Sequence, residues 1–406
     1  MIFKKIGIIV LMGTLAYLPE AVQAQDDKPL APGWLSLDCC VGLVDQKIAE
    51  GKSVLEDALG IGISGYFDTS YNWSSNRPKN PANISLHYFD KDHNKIVFNN
   101  FHLAIEKPEK DWGVGFRISG DFGRTGELLR EATLWGKTFH SEPSAELREA
   151  YLTTTVPIGE GLQIKGGLFM TLLGTEIVPN PGAYNDNISR SFLFNLAIPF
   201  RHLGMLFTYP VHKVVSLTAG IVTGWDNPRD NNHTPSFLGS VSVTPNDKFS
   251  YVAAVSAGEE PATNHNTARF VISNVWTIKP TDPLSLIVEY TYGTQNQASL
   301  GGTRDATWQG IAGIASYEWT DRFSTALRGE YFNDRDGARI GGDFFGTHAK
   351  VEVAEFTLTG SYKFTKMLIG RGEIRHDMAS RRVFARGGSN ADKNQTILGA
   401  QLLYTF

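Results

Sequence analysis

Alternating charges mark residues 370–377, which read GRGEIRHD. Arg371, Glu373, Arg375 and Asp377 occupy every second position, with a glycine, an isoleucine and a histidine between them. In a β-strand, every second side chain lies on the same face of the sheet. One face of such a strand would carry four charges of alternating sign. Charged side chains in this arrangement can line a water-filled passage and act on the ions that cross it.

The same two-sided pattern recurs through residues 61–406, where a polar, charged face opposes an apolar, aromatic-rich one. A charge on a lipid-exposed face in the middle of a bilayer costs roughly 2–4 kcal/mol, so the polar face is expected to point away from lipid. We predict that ten residues of this face line an aqueous lumen. They are Arg117, Asp121, Lys165, Glu289, Arg328, Glu330, Glu355, Arg371, Glu373 and Arg375.

The period-two pattern divides residues 61–406 into about sixteen segments, most of them close to the ~9–11 residues that a tilted transmembrane strand needs. The predicted strands are 61–74, 94–107, 111–123, 144–156, 161–173, 200–210, 214–225, 236–245, 248–257, 267–279, 284–294, 306–319, 322–333, 349–364, 367–378 and 394–406. Aromatic residues gather at both ends of these strands, among them Trp112 and Trp319 beside short links and Trp308 and Tyr331 towards long ones. Two aromatic girdles at the membrane surfaces are the expected reason.

The links between predicted strands alternate without exception between short and long. Outer-membrane barrels have short periplasmic turns and long external loops. Backbone polar groups inside a bilayer must all be paired, so the sheet has to close on itself. The fold class predicted is therefore all-β, a transmembrane antiparallel up-and-down barrel over residues 61–406 with a short N-terminal helical extension.

The N-terminus has the order of a secretory signal peptide. MIFKK is basic, IGIIVLMGTLAYL is apolar, and Val22-Gln23-Ala24 ends in a small residue, which predicts cleavage after residue 24 and Gln25 as the first mature residue. Residues 25–60 have roughly helical apolar spacing and are interpreted as a periplasmic helical extension. The adjacent Cys39 and Cys40 are interpreted as an incidental pair. The role of the extension stays open.

The chain ends in QLLYTF, and the terminal Phe406 closes an amphipathic strand. This ending is similar to the signal that the bacterial barrel-assembly machinery reads. With GISGYFDTSYNW, LREAYL and NDNISRSFLFNLAIPFRHLG, the sequence over about residues 60–406 resembles the putative β-barrel porin-2 (OmpL-like) family of Gram-negative outer-membrane porins. The resemblance implies a bacterial outer-membrane location and small hydrophilic solutes as cargo. Porins of this size are often trimers, so the resemblance also implies a homotrimer.

The longest predicted link, 174–199, is third among the long ones and is unusually apolar for an exposed loop. In general porins the third external loop folds into the barrel and narrows the pore. We expect the same here, with Glu176, Asp186 and Arg190 at the constriction. The alternatives are an extra strand pair or an interfacial helix.

The sequence gives little support for nucleic-acid binding, catalysis or metal binding. The net charge of −4 gives no nucleic-acid footprint. There is no His-Glu-x-x-His, Gly-x-Ser-x-Gly or phosphate-loop pattern, so neither an enzyme nor a cofactor nor a metal is predicted. The acidic stretches at 90–94 and 226–232 could be calcium loops, but asparagine, aspartate and glycine are common in turns, and both stretches are interpreted as ordinary turns.

The predicted function is an outer-membrane porin that passes small hydrophilic solutes and ions by passive diffusion through a charged lumen. The alternative is a structural barrel or adhesin that acts through its long external loops. The sequence does not reveal solute identity, ion preference or subunit number.

Overall fold

Sixteen strands form one closed antiparallel barrel in which each strand pairs with its neighbours in the chain, and the last strand pairs with the first. This computed structural model describes residues 59–79, 82–109, 113–132, 145–178, 185–227, 229–230, 232–260 and 267–406. The predicted fold class is confirmed. The signal peptide, almost all of the helical extension, Cys39, Cys40 and Trp112 lie outside the described residues.

The barrel strands agree with the sixteen predicted segments to within a few residues. They are β1 (Gly62–Ser74), β2 (Lys95–Lys107), β3 (Val114–Phe122), β4 (Ala145–Val156), β5 (Leu162–Met170), β6 (Arg201–His212), β7 (Val215–Val222), β8 (Ser236–Asn246), β9 (Phe249–Glu259), β10 (Ala268–Thr281), β11 (Leu284–Gln295), β12 (Ala306–Glu318), β13 (Phe323–Asp334), β14 (Val351–Lys363), β15 (Leu368–Ala379) and β18 (Asn394–Thr405). Between β15 and β18, the small hairpin of β16 (Phe384–Arg386) and β17 (Asn390–Asp392) forms a separate sheet.

The connections separate by length onto the two ends of the barrel. Links such as 213–214, 247–248 and 282–283 are tight turns at one end. At the other end are three long connections that matter below: L1 (residues 75–94), L3 (residues 171–200) and L8 (residues 380–393). By the rule for outer-membrane barrels, the tight turns face the periplasm and the long loops face outwards.

Two short elements in the loops were not predicted. Helix α1 (Arg124–Ala132) follows β3, and a π-helical turn (Leu193–Ala197) lies in L3. Both are shorter than the window of about 11–18 residues over which helical periodicity can be recognised. Within the described residues, no helix is both long enough and apolar enough to cross a membrane.

The alternating charges of β15 lie on the inside of the barrel. Arg371, Glu373, Arg375 and Asp377 are all buried, whereas Ile374 between them is 48% exposed on the outer surface. The same parity holds along β3, where Ile118 is exposed and its inward neighbours are not. The lipid face is therefore the apolar one, as the cost of exposing charge to hydrocarbon requires.

Trp308 corrects the predicted outer girdle. It is only 1% exposed and turns into the lumen, where its indole N–H donates to the carbonyl of Ala197 in L3 at 3.3 Å. The Arg339 guanidinium lies 5.3 Å from the Trp308 ring centre and 5.0 Å from that of Trp225. The position of a tryptophan near a strand end therefore does not show whether its ring faces lipid or contacts a loop inside the barrel. Trp319, at 61% exposure beside a tight turn, does lie on the outer surface.

The barrel closes where the last residue meets the first strand. Phe406 and Gly65 exchange two backbone hydrogen bonds of 2.9 Å. The Phe406 ring covers Gly65 so closely that a Cβ there would come within 2.4 Å of it. Phe406 also lies near the rings of Phe67 and Tyr404, with centroids 6.2 and 6.4 Å away. The terminal aromatic ring thus packs over the β1–β18 seam.

We expect Phe406→Ala to lower the free energy of unfolding of the refolded barrel by about 1–3 kcal/mol, because the seam loses its aromatic contacts. Urea titration of protein refolded in detergent, followed by tryptophan fluorescence, measures this without the assembly machinery. Phe356→Ala, on the lipid face of β14, is the matched control. Equal losses in the two variants would contradict a special role for the seam.

Candidate functional site: the lumen and its third loop

The described part of L3 crosses the interior of the barrel and bonds to strands on its far side. The Gly174 N–H donates to Ser273 Oγ of β10 at 3.1 Å, and Asn187 Nδ2 donates to Thr359 Oγ1 of β14 at 2.8 Å. Through Ala197 the loop also contacts Trp308 of β12. These contacts favour the expected inward fold over an external helix or an extra strand pair.

Carboxylates of the barrel wall accept backbone N–H groups of L3. Glu330 accepts those of Phe192 and Leu193, both at 2.6 Å. Glu373 accepts those of Ile188 and Ser189 at 2.6 and 3.0 Å. A carboxylate that accepts two N–H groups can remain buried, because its charge is satisfied by hydrogen bonds.

Glu289 makes a similar contact with the start of the loop, where it accepts the N–H of Thr175 at 2.9 Å. L3 is therefore held by wall carboxylates along much of its described length.

Guanidinium groups of the wall bond to L3 carbonyls. Arg328 Nη1 donates to the Ser189 carbonyl at 2.8 Å, and Arg375 Nη1 donates to the Arg190 carbonyl at 2.6 Å. Arg371 Nη1 donates to the Asn185 carbonyl at 2.6 Å. The polar backbone of a loop buried in the barrel needs such partners, since few water molecules reach it.

Arg148 of β4 provides the same contact from the opposite wall, with Nη1 at 3.3 Å from the Val178 carbonyl. Together these bonds form a clamp, which we name the L3 clamp and define by Glu289, Glu330, Glu373, Arg148, Arg328, Arg371 and Arg375.

Two guanidinium groups of the clamp are also paired with neighbouring carboxylates. Arg328 binds Glu355 at 2.6 Å and Glu176 of L3 at 2.7 Å, while Arg375 binds Asp377 at 2.6 Å. These partners are almost wholly buried. Breaking a buried pair on one side leaves an uncompensated charge and costs more than the pair contributes to stability.

L1 joins the same network through His87, a residue that the sequence analysis did not select. Its Nδ1 lies 2.5 Å from Asp90 Oδ2 and its Nε2 lies 3.1 Å from Asp377 Oδ2. Burial lowers the pKa of His87, but the charge of Asp90 and hydrogen bonds to both carboxylates outweigh burial and raise it above its ordinary value. Asp90 belongs to the acidic stretch that could be a calcium loop by sequence, and in the structure its carboxylate pairs with His87.

The second acidic stretch, residues 226–232, also contacts the end of L3 through Asp226. Asp226 accepts the backbone N–H groups of Phe200 and Arg201 at 2.7 and 2.9 Å, where L3 passes into β6. Burial raises the pKa of Asp226 to about 6. Among the described residues no group of histidine, cysteine and acidic side chains is arranged to hold a metal ion.

The apolar residues of L3 form a hydrophobic cluster inside the barrel. Phe192, Leu193 and Phe194 are all at most 2% exposed, and Phe89 of L1 packs against Phe194 and Phe200. At this level, inward side chains from several strands are fully buried, including Leu238 of β8 and Val271 of β10. Packing of L3 inside the barrel explains why this link is so apolar.

Below L3, towards the tight turns, a cavity of about 600 Å³ opens against strands β2–β5. We call it the vestibule. Its lining includes Glu106, Lys107, Arg117, Tyr151, Thr153, Gln163 and Lys165. Arg117 is paired with Glu149 at 2.9 Å and with Glu106.

The Lys165 ammonium lies 4.7 Å from the centre of the Tyr151 ring and makes no ion pair with any described carboxylate. Its positive charge is thus less compensated than that of Arg117.

The predicted site residues of the barrel wall and Glu176 divide into two groups. The first group contacts L3 or pairs with residues that do, and it consists of Glu176, Glu289, Arg328, Glu330, Glu355, Arg371, Glu373 and Arg375. Asp121 is linked to this group because it binds Arg148 of the L3 clamp at 2.6 Å, and it also binds His102 at 2.8 Å. Arg117 and Lys165 form the second group, in the vestibule.

The two remaining L3 residues lie at different levels. Asp186 accepts a hydrogen bond from Ser316 Oγ at 2.5 Å, while Arg190 bonds within L3, to the carbonyls of Ile177 and Ile188. A pore-lining or constriction role for all these residues stays a prediction. Arg148 and His87 were missed: His87 lies in L1, outside the predicted strands, whereas Arg148 alternates with Glu146 on β4, a signal that could have identified it.

Comparison with known proteins agrees with this geometry. The chain is similar in structure to the outer membrane channel DcaP of Acinetobacter baumannii, with a TM-score of 0.57 and 13% identity over 85% of this chain and 97% of that one. It is likewise similar to an anion-selective porin from Comamonas acidovorans, with a TM-score of 0.57 and 12% identity over 85% and 99%. A trimer form of OmpT from Vibrio cholerae gives a TM-score of 0.52 and 11% identity over 85% and 99%. At these identities the likeness concerns the fold.

No curated protein matches the sequence. The family described as putative beta-barrel porin-2, OmpL-like, matches residues 60–406. The chain therefore belongs to this porin family, and it is an outer-membrane barrel through which small hydrophilic solutes diffuse passively.

Proposed function

We propose that L3, fixed by the L3 clamp, sets the narrowest level of the passage, and that the vestibule below it determines which ions enter. The observation that carries this proposal is the unequal compensation of charge along the lumen. The clamp charges are buried and bonded to L3, and several also pair with neighbouring charges, whereas Lys165 lines the vestibule and makes no ion pair with a described carboxylate.

Charge in a narrow passage acts on a passing ion only to the extent that other fixed charges do not cancel it. Arg328 and Arg375 have Glu176, Glu355 and Asp377 as immediate partners, so their net field on a solute is small. The positive charge of Lys165 can act on ions that enter the vestibule. A modest preference for anions follows for the passage as a whole.

The remaining finer assignments belong to the same proposal. Phe406 acts as the signal for the assembly machinery, in addition to its packing at the seam. The passage of solutes needs no catalysis, so we propose a channel without enzymatic activity. L1 and L3 are engaged inside the barrel by His87 and the L3 clamp, which favours a channel over an adhesin that presents these loops to a partner.

Lys165→Gln is expected to lower the chloride-to-potassium permeability ratio by roughly twofold or more, because it removes a cation of the vestibule that makes no ion pair with a described carboxylate. Reversal potentials of purified protein in planar bilayers under a salt gradient measure this ratio. Lys248→Gln, in the tight turn between β8 and β9, makes the same charge change outside the vestibule and is the control. An unchanged ratio in the Lys165 variant would remove the vestibule from the proposed selectivity.

Glu330→Gln is expected to increase the single-channel conductance and the protease sensitivity of L3. A glutamine oxygen can accept from one of the two L3 N–H groups, but its own amide opposes the other, and a charged hydrogen bond worth about 1.5–3 kcal/mol is lost. Glu318→Gln at the periplasmic end of β12 is the control. If conductance and cleavage both stay at the wild-type level, L3 does not set the narrow level.

Native mass spectrometry of protein extracted from the outer membrane tests the processing and assembly parts of the proposal together. We expect a complex of three chains, each starting at Gln25 after removal of the signal peptide. The trimer form of the V. cholerae protein motivates the subunit number. A monomeric mass, or a subunit that retains residues 1–24, would contradict the respective part.

A further inference from the structure

Six basic residues come together at the outer end of β1, β15 and β18. All six are exposed to solvent. We call this group the L8 cationic patch, and it consists of Arg77, Lys79, Arg381, Arg382, Arg386 and Lys393. Two residues come from the start of L1 and the other four from L8.

Backbone hydrogen bonds bring L1 and L8 together under the patch. The Lys79 N–H donates to the Gly387 carbonyl at 2.7 Å, and the Gly387 N–H donates to the Asn76 carbonyl at 3.2 Å. The hairpin of β16 and β17 is further tied to L1 because the Ala385 N–H donates to Ser85 Oγ at 2.9 Å. The cations therefore stand on a framework with fixed spacing and not on a free loop.

The charges of the patch are largely uncompensated. Arg386 pairs with Asp392 at 2.8 Å, and the other five make no ion pair within the part of the chain that the structure describes. By contrast, three arginines in other long loops are each followed directly by aspartate, at 229–230, 304–305 and 335–336. The chain as a whole carries −4, so this concentration of positive charge is local.

The patch also lies at the level where lipid headgroups meet the barrel. β15 pairs with β18, and β18 pairs with β1, so their outer ends are adjacent. Tyr71, near the outer end of β1, is exposed on the lipid side and donates its hydroxyl to Asn94 Oδ1 at 2.6 Å. Tyrosine at this position is typical of the boundary between hydrocarbon and headgroups. Arg77 and Lys79 come a few residues after Tyr71, on the outer side of that boundary.

We propose that the L8 cationic patch binds the phosphate groups of an anionic lipid in the outer leaflet of the membrane. Arginine suits this ligand because its planar guanidinium can donate two parallel hydrogen bonds to a phosphate. Clusters of four or more basic residues next to a membrane-spanning segment attract anionic headgroups, with a gain of roughly fivefold in affinity for each cation. The bound lipid would hold this side of the external rim at the membrane surface.

The test compares binding of bisphosphorylated lipid A with binding of the same lipid stripped of its phosphates, using the complete barrel in detergent and native mass spectrometry. The variant is Lys79→Gln/Arg381→Gln/Arg382→Gln, which leaves the Arg386–Asp392 pair intact. The control is Lys213→Gln/Lys248→Gln/Lys279→Gln, three exposed lysines at the tight-turn end. We expect the patch variant to bind the bisphosphorylated lipid at least about tenfold more weakly and the control to match the wild type.

Three results would overturn the proposal. Equal binding of the two lipids by the wild type would show that phosphate is not recognised. Competition by inorganic phosphate at the same concentration as the lipid would make the patch a general anion site. Unchanged lipid binding in the patch variant, together with a lower chloride permeability in planar bilayers, would assign the cations to the mouth of the channel.

Discussion

Every backbone polar group inside a bilayer must find a partner within the protein, and this constraint determines the rest of the structure. It requires β18 to pair with β1 and thereby makes the sheet a cylinder with an inside and an outside. Because strand side chains alternate, half of each strand must then face inwards. The same constraint applies inside the lumen, because the backbone of L3 is buried there. Charged side chains of the barrel wall provide the hydrogen-bond partners of this backbone.

The charged lumen wall therefore has two kinds of residue. Glu330, Glu373 and Arg375 are bound to the L3 backbone, and their charges stabilise a loop that would otherwise bury unpaired N–H and carbonyl groups. Arg117 and Lys165 line open space. Both kinds are inward charges on alternating positions. The first kind lies in hydrogen-bond contact with the buried loop, and the second kind lies below it, where the proposed ion preference would arise.

This division marks the limit of what the sequence could predict. The sixteen strands, their parity and the alternation of the loops follow from period-two patterns and link lengths, and the structure confirms them. The apolar composition of residues 192–200 also predicted that L3 packs inside. The sequence could not tell that Glu330 would accept two N–H groups of L3 while Lys165 would line the vestibule, because such an arrangement depends on contacts between residues more than one hundred positions apart. For the same reason His87 was missed and Trp308 was assigned to the lipid-facing girdle, since their partners Asp377 and Ala197 lie far away in the sequence.

The L3 clamp has a consequence for how the family can vary in length. Between Asn185 and Leu193, the wall bonds to the loop almost residue by residue, with acceptors and donors in a fixed order. A one-residue insertion there would displace the amides and carbonyls of the loop relative to the wall groups that bond to them. Insertions and deletions among related sequences should therefore be rare in this stretch. They should be more frequent in loops that make no hydrogen bonds to the barrel wall.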